Sequence, residues 1–319
     1  MFNLVQKRRW YFMVSGVIIG TGLLIMLYSA ISTGSAFRLS IDFMGGSIYD
    51  LRFTEPGATE EGIRQVFAEQ GDDGVVIQRL GEPDDYRWSV RGRFLEDQQA
   101  VEAIIRELDT LAPVDTDSLR IERVSETVGE EVTRAALLAT VVAAVIITGF
   151  IVLAFRQVPK AVRYGVCAIV AMGHDLLVVM TFASLMGLLF GWEIDALFLT
   201  AILTIVGFSV QDSIIVFDRI RENIPKHIGE PYEAIVNRSL WETIHRSLAT
   251  QLNVNFVLVA ILLFGGETLR QFIAVLLVGL LSGQFSSIFT AVPLLVSWEK
   301  GEIPLLKGDT DLIVADARA

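Results

Sequence analysis

The sequence predicts a polytopic α-helical membrane protein: six transmembrane helices, with a small α+β domain of ferredoxin-like (βαββαβ) order between the first and second. Three observations predict it. Of 319 residues, 52% are hydrophobic, and the mean hydropathy is +0.53, too apolar for a soluble chain and too long for one domain. Six apolar runs of about 19 to 25 residues recur, each long enough to cross a hydrocarbon core of about 30 Å. The net charge of −11 is also localised: residues 37–132 hold 22 acidic and 10 basic side chains, the rest 15 and 16. The segment divides as 1–36 (N-terminus and first helix), 37–132 (soluble domain), 133–300 (five helices with a cytoplasmic segment at 218–245) and 301–319 (a disordered tail).

Lys7, Arg8 and Arg9 precede an apolar run over 11–31. The charge-then-apolar order resembles a signal peptide, but its core exceeds the usual length of about 7 to 15 residues, so the segment is expected to remain as a first span. In 37–132, Leu39, Ile41 and Phe43 alternate, as do Tyr49, Leu51 and Phe53 beyond Gly45-Gly46, predicting one strand with a bulge or kink. A helix over 59–70 places Ile63, Val66 and Phe67 on one face. Strands at 75–80 and 86–90 flank a turn over 81–85, a helix carries Val101, Ile104, Ile105 and Leu108, and a strand at 119–124 closes the βαββαβ order. The acidity of this domain argues against a nucleic-acid partner, because phosphate binding needs a positive surface.

Five further spans are predicted at 135–155, 162–185, 196–217, 246–264 and 272–296. Arg156, Lys160 and Arg163 fill one loop and Arg219, Arg221, Lys226 and Arg238 another, whereas the loops at 191–195 and 265–270 share one basic residue. By the positive-inside rule the soluble domain is extracytoplasmic, both termini are cytoplasmic, and Glu193 and Asp195 lie at the outer mouth. Cys167, the sole cysteine, allows no internal disulfide.

Asp212 is the one charge inside the run 196–217. A carboxylate mid-membrane costs about 2.5 to 3.5 kcal/mol, and each Leu, Ile, Phe or Val returns roughly 0.3 to 0.6. With 13 such residues the helix can hold a buried acid, and an intramembrane acid points to ion or proton handling. Helical spacing places Ala201, Thr204, Phe208 and Ser209 on its face, with Gln211 beside it. The next span opens on a polar half in which Arg246, Thr250, Asn253 and Val257 share a face, at a depth like that of Asp212. A guanidinium favours a carboxylate and a low dielectric favours the neutral acid, so moving one helix against the other toggles proton affinity. The bland readings are an Asp satisfied by a neighbouring helix and an Arg snorkelling to headgroups. His174-Asp175, midway along the third span, read either as an extension of a proton relay or as a packing contact. No second His or Cys is placed for a metal, and no glycine-rich phosphate loop appears, which argues against ATP hydrolysis. The only cofactor expected is an ion gradient.

The run 201–223, AILTIVGFSVQDSIIVFDRIREN, resembles the SecF family, the smaller membrane subunits of bacterial SecD–SecF accessory complexes of protein export. Asp42-Phe43-Met44-Gly45-Gly46, His174-Asp175, Gly265-Gly266, Gly283, Ser286-Ser287-Ile288-Phe289 and Pro293 extend the match over all but the tail. Gln211-Asp212 replaces the family's Asn-Asp, residues 239–247 (SLWETIHRS) depart from its Ser-Leu-Asn-x-Thr-x-x-Arg-Thr, and 128–132 lack its usual Pro. The resemblance implies half of a pseudo-symmetric transporter of the resistance-nodulation-division type, not an enzyme, in the bacterial inner membrane. SecD would complete it. It would assist the SecYEG channel and SecA by pulling on unfolded preprotein, driven by proton or sodium flow, with Asp212 and Arg246 at the ion-coupling positions. Two other classes are weighed. A small-molecule or lipid half-exporter expects a larger external domain, and an intramembrane aspartyl protease using Asp175 and Asp212 expects a Gly-x-Gly-Asp signature that is absent.

Overall fold

A computed structural model describes residues 3–81, 83–156 and 161–303. The predicted tail beyond 303, Glu82 in the predicted turn and Lys160 in the basic loop lie outside the described residues. Two compact units form, one from Met1–Arg38 with Leu138–Ala319 and one from Leu39–Leu137.

In the smaller unit the strands are β1 (Gly46–Arg52), β2 (Val76–Leu80), β3 (Arg87–Gly92) and β4 (Arg120–Val124). They form one antiparallel sheet in the order β2-β3-β1-β4. A short helix α2 (Ile41–Met44) precedes β1, α3 (Glu60–Glu69) follows it and α4 (Gln98–Leu111) lies between β3 and β4, which is the predicted βαββαβ order. Alternation sends Tyr49, Leu51, Trp88 and Val90 to the face covered by Ile63 and Phe67 of α3 and Ile104 and Leu108 of α4. The predicted early strand is corrected. Residues 41–44 make one helical turn, because Ser40 Oγ accepts from the Asp42 amide at 3.1 Å. The strand starts only after Gly45 and Gly46, whose φ values of 74° and 132° a side chain rarely adopts.

The larger unit is built on α1 (Arg8–Thr33), α5 (Glu126–Ala154, which begins in the smaller unit), α6 (Ala161–Phe190), α7 (Ala196–Asn223), α8 (Tyr232–Phe264), α9 (Glu267–Ser286) and α10 (Val292–Glu299). A π-helical turn, Ser287–Ala291, joins the last two. Pro293 supplies no amide to Phe289 four residues back, and the wider turn absorbs that lost bond. Six helices among the described residues are long and apolar enough to cross a membrane, counting α9 to α10 as one. Each runs past its predicted hydrophobic core. α7 continues through Asn223, so residues 218–223, the start of the expected cytoplasmic segment, prolong the same helix. Buried Phe217, Ile220, Val236 and Leu240 pack with Phe155, Tyr164 and Val292 to hold that end together.

Candidate functional site

α7 packs against α6, α8 and α9, so its polar residues meet three neighbours at once. Ala201, Ile205, Ser209 and Asp212 are all buried along one face, the spacing of about 3.6 residues that a helix imposes. Asp212, 3% exposed, points into the protein. Its Oδ1 accepts from Ser247 Oγ at 3.1 Å and its Oδ2 from Gln251 Nε2 at 2.7 Å, both on α8. Gln251 Oε1 in turn accepts from Gln284 Nε2 of α9 at 3.5 Å.

One turn away, Ser209 Oγ donates at 2.6 Å to Asp175 Oδ2 on α6. Asp175 is 1% exposed. It also accepts from Ser286 Oγ on Oδ2 and from Ser282 Oγ on Oδ1, each at 2.7 Å, and His174 Nδ1 lies 3.2 Å from Oδ1. The two acids thus sit in one polar layer that ties α6, α7, α8 and α9 together.

Hydroxyls, one amide and the His174 imidazole surround the two carboxylates. Among the described residues no Lys or Arg lies within ion-pair reach of either. An uncompensated charge buried this deeply is expensive. A hydroxyl, however, donates to a carboxylate or accepts from a carboxylic acid by rotating about its C–O bond. Four serines of the layer, Ser247 on Asp212 and Ser209, Ser282 and Ser286 on Asp175, have hydroxyls that can turn in this way. His174 Nε2, buried without a hydrogen-bond partner among the described residues, stacks beside Phe285 with ring centroids 6.0 Å apart.

The structure brings together Asp212, Ser209, His174 and Asp175 of the predicted set, and places the others elsewhere. Arg246 and Thr250 are exposed, and Thr250 Oγ1 donates to its own helix at Arg246 O (3.0 Å). Gln211 is exposed too and lines a groove with Arg246, Gly207 and Phe150. The predicted contact face of α8 is one residue out. The buried polar set is 243, 247, 251 and 255 rather than 246, 250 and 253, a rotation of about 100°. Of the α7 stripe, Ala201 and Ser209 are buried, whereas Thr204 and Phe208 are half-buried. Asp195, expected at an outer mouth, caps α7, its Oδ1 accepting from the Phe198 amide at 2.8 Å. Ser247 and Gln251, in the polar half of the span, and Ser282 and Ser286 are not among the predicted site residues; a polar residue every fourth position along α8 is the pattern that marks the first two.

No group of three or more His, Cys, Asp or Glu side chains converges as a metal site among the described residues.

The model of the protein export membrane protein SecD/SecF family, C-terminal part, matches residues 103–301. The protein translocase subunit SecF of Anaerolinea thermophila is 42% identical over 303 residues, covering 95% of this chain and 96% of the relative. The translocase subunit SecDF of Thermus thermophilus is 34% identical over 306 residues, 93% of this chain but 38% of that protein. The crystal structure of SecDF from Thermus thermophilus, a translocon-associated membrane protein, superposes with a TM-score of 0.75 at 31% identity, over 94% of this chain and 39% of that one.

Proposed function

Because this chain belongs to the SecF family of protein translocase subunits, and is a multi-pass inner-membrane protein, we propose that it couples ion flow to protein export through Asp212. The supporting observation is the arrangement around that acid: a carboxylate 3% exposed at membrane depth, held by a hydroxyl and an amide instead of a cation. Such a group takes up and releases a proton with little reorganisation. Asp175, with Ser209, Ser282 and Ser286, extends the same layer, and His174 adds a third protonatable group.

The partner in this reading is a SecD subunit. The fused SecDF relative is more than twice as long as this chain, consistent with a second half supplied in trans. Arg246, Thr250, Asn253 and Gln211 are exposed at or near membrane depth, where lipid is a poor neighbour for them. They form the face on which SecD packs, and Arg246 acts from there on Asp212 when the helices shift. SecYEG and SecA supply the channel and the motor, the 37–132 domain meets the unfolded preprotein outside, and both termini are cytoplasmic. Sodium in place of the proton is the variant of this reading for the same site.

The test is Asp212→Asn in the assembled complex. The amide keeps the shape and cannot ionise. Gradient-stimulated export into membrane vesicles is expected to vanish while co-purification with SecD is unchanged; undiminished stimulation would refute the assignment.

A further inference from the structure

The chain leaves α1 at Gly34, whose φ of 82° ends the helix, and enters the smaller unit at Leu39. The residues between, Ser35 to Arg38, are exposed or half-buried, a setting in which carbonyls are free to bond water. Here each carbonyl is taken by the protein instead. Ser35 O accepts from Ser29 Oγ and Thr33 Oγ1, both at 3.0 Å, and Phe37 O from Ser35 Oγ at 2.8 Å. The other two reach neighbouring helices. Ala36 O accepts from Ser184 Oγ of α6 at 2.9 Å, and Arg38 O from the Ile194 amide at 2.7 Å. Ile194 stands one residue before Asp195, the cap of α7. The corner that carries it is itself anchored. Trp192 meets Phe182 of α6 edge to face, with ring centroids 6.0 Å apart, and Trp192 O lies so near Gly187 that a Cβ there would stand 3.2 Å from it. From this corner α7 runs unbroken to Asn223, which sets Asp212 about 26 Å along the same rod. The second covalent link between the units, α5, enters the larger unit with Leu138, Val141, Val142 and Val145 exposed.

We infer that residues 35–38 are a strap that carries displacement of the 39–137 unit to the start of α7, so that load on that unit alters the contacts of Asp212. No spare residue separates the last tie, at Arg38 O, from Leu39, the first residue of the unit. A pull on the strap therefore draws on the Ile194 corner, and the helix that begins there passes it along its axis. Asp212 meets Ser247 and Gln251 of α8 at 3.1 and 2.7 Å. A displacement of about 1 Å takes such contacts beyond hydrogen-bonding reach. Ser184 and Ile194 are positioning residues in this scheme. The inference rests on the coupling role of Asp212 proposed above.

The test inserts Gly-Gly between Arg38 and Leu39, which adds about 7 Å of slack and deletes no side chain. The full chain is studied with SecD, SecYEG and SecA in proteoliposomes, where protons passed and preprotein exported are measured together. With a slack strap the acid still exchanges protons but no longer answers to load. The ratio of protons passed to chains exported is expected to rise several-fold, with co-purification of SecD and Tm unchanged. A ratio equal to the parent's overturns the strap. Should the insertion lower the yield of complex, Ser184→Ala is read in its place, since it removes the tie to Ala36 O and leaves the chain length alone. It is expected to raise the same ratio by a smaller factor, and a parental ratio overturns the strap. A merely structural role for the connector predicts a lower Tm with the ratio kept, which also overturns it. Asp212→Asn run alongside separates the two claims. If that variant passes protons as the parent does, the coupling role itself fails; if it passes none while the slack chain keeps the parental ratio, only the strap fails.

Discussion

A single acid in a 22-residue apolar run stands out because nothing else in the run is charged, and Asp212 was legible for that reason. Its partners were not. Arg246 draws attention by its charge, yet the contact belongs to Ser247 beside it, and residue type alone does not fix a helix's rotation to within 100°. The same difficulty hid the role of Asp195. An acid before a span reads as surface charge, but an oxygen 2.8 Å from the Phe198 amide satisfies one of the orphan donors at the start of α7. Asp195→Ala is therefore expected to lower the stability of the complex by about 1 kcal/mol, and Asp195→Ser to retain most of it. Thermal unfolding of the detergent-solubilised complex checks both.

Elements fared better where periodicity was long. Six spans and two amphipathic helices follow from apolar spacing over ten residues or more, where accidental patterns are rare. The short alternation Leu39, Ile41, Phe43 instead became a helical turn, because one side-chain cap at Ser40 outweighs three residues of pattern. Close helix approach is the other feature that sequence conceals. A Cβ on Gly279 of α9 would stand 2.2 Å from Ile205 Cδ1 and 2.5 Å from Cγ1 on α7, and the β-branched isoleucine has few rotamers in which to retreat. Gly279→Ala should destabilise the α7 to α9 contact by about 1 to 3 kcal/mol, and Ile205→Ala in the same chain should recover part of the loss. A Gly279→Ala protein as stable as the parent would show that α7 and α9 are not so closely apposed.

At the scale of the molecule, the larger unit leaves Leu138, Val145, Ile146 and Phe150 of α5 and Leu24, Leu27 and Ile31 of α1 exposed, as expected for surfaces against lipid or a second subunit. The ends of the described chain are tied together. Arg8 Nε donates to Glu302 Oε2 at 2.8 Å, and a second guanidinium nitrogen pairs with the other oxygen. That hydrogen bonding holds the Glu302 carboxyl below its ordinary value of 4.5. A carboxyl lowered on folding contributes fully above its unfolded pKa and loses the contribution as pH falls through the folded value. Acidification below about 4.5 should therefore lower the Tm of the parent more steeply than that of Glu302→Gln, which already lacks the interaction at neutral pH. Parallel pH slopes in the two proteins would mean that the contact does not form.

The polar layer joining α6 to α9 gives these pieces a common purpose, and ion movement through it is the quantity to measure. The complex with SecD, reconstituted in proteoliposomes with a trapped pH indicator and an imposed gradient, should pass protons when preprotein engages the channel. Asp212→Asn should abolish that flux with assembly intact. Flux equal to the parent's in the Asp212→Asn complex would contradict the account, and flux that appears only when sodium replaces the proton gradient would reassign the ion but keep the site.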